Sequence, residues 1–138
     1  MTQVNSDYPT IQFSDVPYAA ANFGATASMT WTVDSGDVVT FTFAVLGNMM
    51  FIWLRVATTT VGGVVAGANL TVKIPNGRVA AKTCSMGGAA GPGGAASESV
   101  LVASVAGSNL LQIARYAATW VLGADNTSLD FFVGIQIQ

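Results

Sequence analysis

The sequence predicts an all-β fold, an antiparallel β-sandwich of about eight strands preceded by an irregular arm. Three observations predict it. Apolar and polar residues alternate with a period of two in several segments, the spacing that sets one face of a strand against a core. Turn-forming clusters such as Asp34-Ser35-Gly36-Asp37, Gly47-Asn48 and Pro75-Asn76-Gly77 punctuate the chain, and the strands they help bound recur roughly every 10–15 residues. No segment carries a convincing helical period.

The division expected is an extended arm over residues 1–24 and a sandwich domain over 25–138. Pro9 and Pro17 punctuate the arm, and each disfavours helix at the residue before it. Tyr8, Ile11, Phe13, Val16, Tyr18 and Phe23 are too apolar for a free tail, so the arm is expected to lie against the body or a neighbouring subunit. Ala27, Met29, Trp31 and Val33 then alternate with threonine and serine, which places Trp31 in the core. After the Asp34–Asp37 turn, Val39, Phe41, Phe43 and Val45 form the next alternating face. Gly47-Asn48 is a two-residue hairpin signal.

Met49 to Val56 is apolar on both faces. Met50, Ile52, Leu54 and Val56 point one way, and Met49, Phe51 and Trp53 the other. A sandwich core covers only one face of such a strand, so the second needs a loop, the arm or another subunit. The run from Val38 to Val56 is long enough to suggest a membrane span by hydropathy, but its turn and its Thr/Phe alternation fit a hairpin better.

Thr58 to Gly63 reads as the start of a loop. Leu70, Val72 and Ile74 mark a short strand stopped by Pro75, and Val79 to Cys84 a weaker one. Met86 to Ala96 holds five glycines and one proline and reads as a flexible loop, open to a role in adapting to a partner. Strand character resumes at Ser99–Val105 and Leu110–Tyr116, with another short strand expected at Thr119–Leu122. Ala124 to Thr127 reads as a turn. Leu129, Phe131, Val133, Ile135 and Ile137 then face inward along a last strand that locks the C-terminus into a sheet.

Composition bears on function. Apolar residues make up 51% of the chain and charged residues 9%, against roughly 25% charged in an average soluble domain. A coat of Ala, Thr, Ser, Gly and Asn repels its neighbours weakly, which fits burial in an assembly as well as an ordinary monomer. The net charge is −2, and Arg55, Lys73, Arg78, Lys82 and Arg115 are scattered. Nucleic-acid binding and docking on anionic lipid both need clustered cations and are not expected. Met1 to Asp7 lacks the charged and apolar regions of a secretory leader, so no signal peptide is expected, and the free thiol fits synthesis in the cytosol.

The chain has no histidine, which removes the usual nucleophile–base pairs and zinc sites. The single cysteine, Cys84, cannot form an intrachain disulfide and reads as a small core residue. Asp34, Asp37 and Asp125 are explained by turn chemistry. A calcium site from Asp125, Asn126 and Asp130 lacks regular ligand spacing. The glycine-rich run lacks the Gly-Lys-Ser/Thr of a phosphate loop. No cofactor, metal or catalytic residue is expected, and the protein is read as a non-enzyme. The residues singled out for an interface or ligand contact are Trp53, Trp120, Phe132, Met49 and Phe51, because aromatic and methionine side chains dominate such surfaces.

The segments Met29-Thr30-Trp31-Thr32-Val33-Asp34-Ser35-Gly36-Asp37, Val39-Thr40-Phe41-Thr42-Phe43, Ala57-Thr58-Thr59-Thr60-Val61-Gly62-Gly63 and Leu70-Thr71-Val72-Lys73-Ile74-Pro75-Asn76-Gly77, in that order, resemble small jelly-roll domains of bacteriophages. These occur as short proteins or at the ends of fibre and appendage proteins. The resemblance covers about residues 25–138 and carries no functional residue across. It implies a jelly roll, a homotrimer of C1q/TNF-like arrangement, and a place on the virion surface, decorating it or touching the host. No coiled-coil stalk precedes the domain here, so the expectation is a small separate subunit on capsid or tail. Its expected partners are further copies of itself, other virion proteins through the N-terminal arm, and a host surface glycan or protein. The alternative expectation is a ligand- or carbohydrate-binding sandwich module.

Overall fold

A computed structural model describes residues 10–138. The chain is all-β, as its periodicity predicts. Ten strands follow one another: β1 (Ser14–Asp15), β2 (Phe23–Ala25), β3 (Met29–Thr32), β4 (Val38–Leu46), β5 (Met49–Gly63), β6 (Leu70–Lys73), β7 (Cys84–Gly91), β8 (Glu98–Ser104), β9 (Leu110–Arg115) and β10 (Gly123–Gln136). They form one antiparallel sheet in the order β1-β4-β5-β10-β7-β8-β9-β6-β2, with β3 also paired to β5. The sheet curls on itself into a sandwich-like body. Its far end, β2, returns against β3 and β4. There the Phe23 ring meets Trp31 edge-on at 5.5 Å and lies 5.8 Å from Phe41.

β5 organises the sheet. Its two-residue turn at Gly47-Asn48 returns the chain along β4, with Leu46 opposite Met49 and Phe41 opposite Leu54. Beyond Thr58, whose φ of 57° interrupts the regular strand, the same edge of β5 pairs with β3, Trp31 opposite Val61. The other edge pairs with β10 along nearly its whole length. The segment expected to open a loop at Thr58 is therefore strand as far as Gly63, because β3 and β10 supply hydrogen-bonding partners on both sides. Gly63 has φ 77°, and a side chain there would meet the Ser28 carbonyl oxygen at 2.2 Å, so only glycine fits.

The core follows the alternation. Met50, Ile52, Leu54 and Val56 of β5 and Leu129, Phe131, Val133 and Ile135 of β10 are buried, opposite one another in register. Leu70, Val72, Val102, Leu111 and Ile113 complete it from the other half of the sheet. One polar relay crosses this interior. The Trp31 indole N–H donates to Thr59 Oγ1 at 2.8 Å, and the Thr59 hydroxyl donates to the Thr127 carbonyl at 2.8 Å. The C-terminus is locked in as expected: Ala80 bridges Ile137, and the Gln138 N–H donates to the Val79 carbonyl.

Several expectations are corrected. The glycine-rich run is not a flexible loop: Cys84–Gly91 is a strand between β8 and β10, and Pro92–Gly94 is a single 3₁₀ turn. Its small residues serve close packing, since a Cβ on Gly88 would lie 3.1 Å from both Phe131 and Val102. Val79 to Cys84 makes only the Ala80 bridge before β7 begins. Cys84, expected in the core, is exposed at the start of β7. Val39 leaves the alternating face, because the register of β4 on β5 shifts between Val38 and Thr40. Thr119–Leu122 is not a strand, and Ala124 to Thr127 lies inside an irregular stretch of β10 rather than in a separate turn.

Within the arm, Ser14 and Asp15 pair with Phe43 and Thr42, while Phe23 to Ala25 pair with Val72 to Leu70. The described part of the arm thus lies against the body, and two short strands from it raise the count above eight. The readings at Tyr8 and Pro9 fall outside the described residues.

Candidate functional site

The outer face of β4, β5 and β10 is where the second apolar face of β5 emerges. Alternation forces the geometry: with Met50, Ile52 and Leu54 in the core, Met49, Phe51, Trp53 and Arg55 must point away from it. The register of β10 sets Gln136, Gly134, Phe132 and Asp130 beside them in turn. That of β4 sets Leu46, Ala44, Thr42 and Thr40 on the other side. The pairing of β1 with β4 brings in Phe13, just ahead of Ser14.

These side chains form an open apolar groove of about 680 Å³ lined by Phe13, Thr40, Thr42, Trp53 and Phe132. Phe132 stands between two other rings. It stacks on Phe51 at 6.4 Å with an interplanar angle of 11°, and meets Phe13 at 6.1 Å, tilted by 44°. Trp53 remains 44% exposed and Phe132 57%. Large aromatics left this open on a sheet face are a mark of an interaction surface. The hydroxyl of Thr42 is buried and has no hydrogen-bond partner among the described residues.

A smaller notch of about 190 Å³ adjoins the groove, lined by Arg55, Ser97, Ser128 and Asp130 among others. Arg55 and Asp130 are directly opposed across β5 and β10, and both are exposed. They nevertheless make no ion pair. The one ion pair among the described residues joins Arg115 to Glu98. There the guanidinium holds the Glu98 carboxyl below its ordinary value, chiefly through its hydrogen bonds; burial opposes this, and the guanidinium's charge adds a lesser lowering.

Of the residues singled out from sequence, the structure gathers Met49, Phe51, Trp53 and Phe132 on this one face. Trp120 is not among them. It is 2% exposed and belongs to the core, its indole N–H without a partner among the described residues. The cause lies in the chain that follows β9: Arg115 donates to the Thr119 carbonyl and pins the segment, and Trp120 fills the interior. Sequence reasoning missed Phe13, Thr40, Thr42, Arg55 and Asp130. The period-two phase pointed to four of them, since Thr40, Thr42, Arg55 and Asp130 all fall on the phase opposite the core. The apolar character of the arm pointed to a contact for Phe13 with the body or a neighbouring subunit, but nothing local placed it beside Phe132.

The carboxylates do not converge on this face. The Asp34 N–H donates to Asp37 Oδ2 at 2.8 Å within a capping box, and the Asp125 carboxylate accepts from the Thr60 hydroxyl at 3.1 Å. Among the described residues no group of three or more acids or cysteines is placed to hold a metal ion, and no helix is long and apolar enough to cross a membrane. Compared with known proteins, the chain matches no family model, no curated protein and no solved structure.

Proposed function

We propose that the protein is a non-enzymatic structural subunit of a bacteriophage virion, on the capsid or tail surface, that works by assembling with copies of itself. The observation that carries the assembly reading is the aromatic outer face of β4, β5 and β10. A face with Trp53 and Phe132 half open to water lowers its free energy by about 25 cal/mol for each Å² of apolar surface covered. The low charge of the chain supports the same reading, because little repulsion opposes contact. The virion setting, the jelly-roll assignment and the homotrimer rest on the sequence resemblance.

Attachment to other virion proteins belongs to the segment ahead of the sheet. Phe23 is in the core and Ser14 and Asp15 are in the ladder, so residues 1–9 are the part of the arm to test. Particles assembled with a chain lacking those residues are expected to lose the protein, with circular dichroism confirming that the free subunit still folds. Unchanged occupancy on purified particles overturns the attachment role.

A second reading is a carbohydrate- or ligand-binding module, and the open Trp53 indole in a groove shared with Thr40 favours it. Sugars stack an apolar face on an indole and hydrogen-bond at their edges. A glycan array probed with the wild type and with Trp53→Ala decides it: binding that Trp53→Ala removes supports this reading, and an empty array rejects it for glycans.

A further inference from the structure

We propose that a second copy of this chain covers the outer face, related to the first by a two-fold axis running along the seam between β5 and β10. The proposal rests on the self-assembly reading above and adds the partner's geometry.

The register carries it. Arg55 opposes Asp130 and Trp53 opposes Phe132 across that seam. A two-fold axis along the seam exchanges the two strands, so it sets each copy's Arg55 over the other's Asp130 and each Trp53 over the other's Phe132. The contact is then self-complementary, as a two-fold interface must be. Charge meets opposite charge twice, and aromatic meets aromatic twice. Both charges are exposed and neither has an ion-pair partner within the described chain, so both remain available to a neighbour. Displaced or rotated packings lose this match and bring Arg55 against Trp53 or Phe132.

The footprint sets the strength. Three strands about 4.8 Å apart and seven residues of about 3.4 Å each cover roughly 340 Å² in projection. A standard interface takes roughly 800 Å² from each partner. Pairing through this face is therefore concentration-dependent and is best followed across a dilution series.

The test uses the full chain and two single variants, Arg55→Asp and Asp130→Arg, at exposed positions whose folding is checked by thermal melting. The first variant carries two acids at the seam and the second two bases. Each alone is expected to associate at least about tenfold more weakly than wild type, since it sets like charges face to face. An equimolar mixture of the two is expected to recover association, because across the two-fold every acid then meets a base on the other chain. Light scattering of the wild type is expected to give an even number of copies: six where the three-fold contact of the homotrimer joins three pairs, or two, which keeps the pairing and overturns the homotrimer. A trimer overturns the two-fold pairing and leaves self-assembly standing. A monomer at every concentration overturns both. Variants that associate like wild type, or a mixture that does not recover, overturn the proposed pairing alone.

Discussion

Thr59 is fully buried and links three strands through one hydroxyl, accepting from Trp31 on β3 and donating to the Thr127 carbonyl on β10. Valine has nearly the same shape but neither donates nor accepts. In Thr59→Val the Trp31 N–H loses its acceptor inside the core, and an unsatisfied buried group costs about 1–3 kcal/mol. A urea midpoint lowered by that amount, with a native-like circular dichroism spectrum, is the expected result. The Arg115–Glu98 pair makes a pH-dependent prediction. The Glu98 carboxyl is held below its unfolded value. Its contribution is therefore complete above the unfolded pKa and disappears as pH falls through the folded one. Stability of the wild type is expected to drop over that acidic range, and Arg115→Met to flatten the profile there. Glu98 is more than a third exposed, so water screens the pair and the change is small. Thermal melts at stepped pH values compare the two profiles.

At the scale of elements, β2 shows that the arm is part of the fold. Phe23 packs on Trp31 and Phe41 where the curled sheet returns on itself. Phe23→Ala is expected to cost about 3–5 kcal/mol, as large-to-small changes at packed aromatics do, measured by chemical denaturation. β7 makes the complementary point. Its glycines and alanines, which in isolation suggest flexibility, let it lie close between β8 and β10, with Gly88 beside Phe131 and Val102. A neighbour's side chains decide whether a small-residue run is a loop or a tightly packed strand.

At the scale of the whole molecule, one sheet contains every strand, and the described chain's first and last strands join it through the neighbouring β4 and β5. Apart from the edge strand β1, whose two residues are exposed, every strand contributes to the shared core or pairs with strands that do. Unfolding is therefore expected as a single transition, with tryptophan fluorescence and far-ultraviolet circular dichroism giving coincident curves. Trp31 and Trp120 report on the interior and Trp53 on the outer face, so an early fluorescence change would reveal a separately melting half.

The sequence by itself determined the all-β class, the hairpin at Gly47-Asn48, the core rows of β5 and β10 and the two-faced character of Met49 to Val56. Each of these rests on local rules: alternation, turn chemistry and the steric demands of proline and glycine. It also placed Phe51, Trp53 and Phe132 away from the core by phase alone. Only the tertiary structure decided that those three meet, that Phe13 joins them, that Trp120 turns inward and that Cys84 faces water. It alone set Arg55 opposite Asp130. The physical reason is that pairing between strands far apart in sequence fixes which faces become neighbours, and phase along one strand carries no information about the strand beside it.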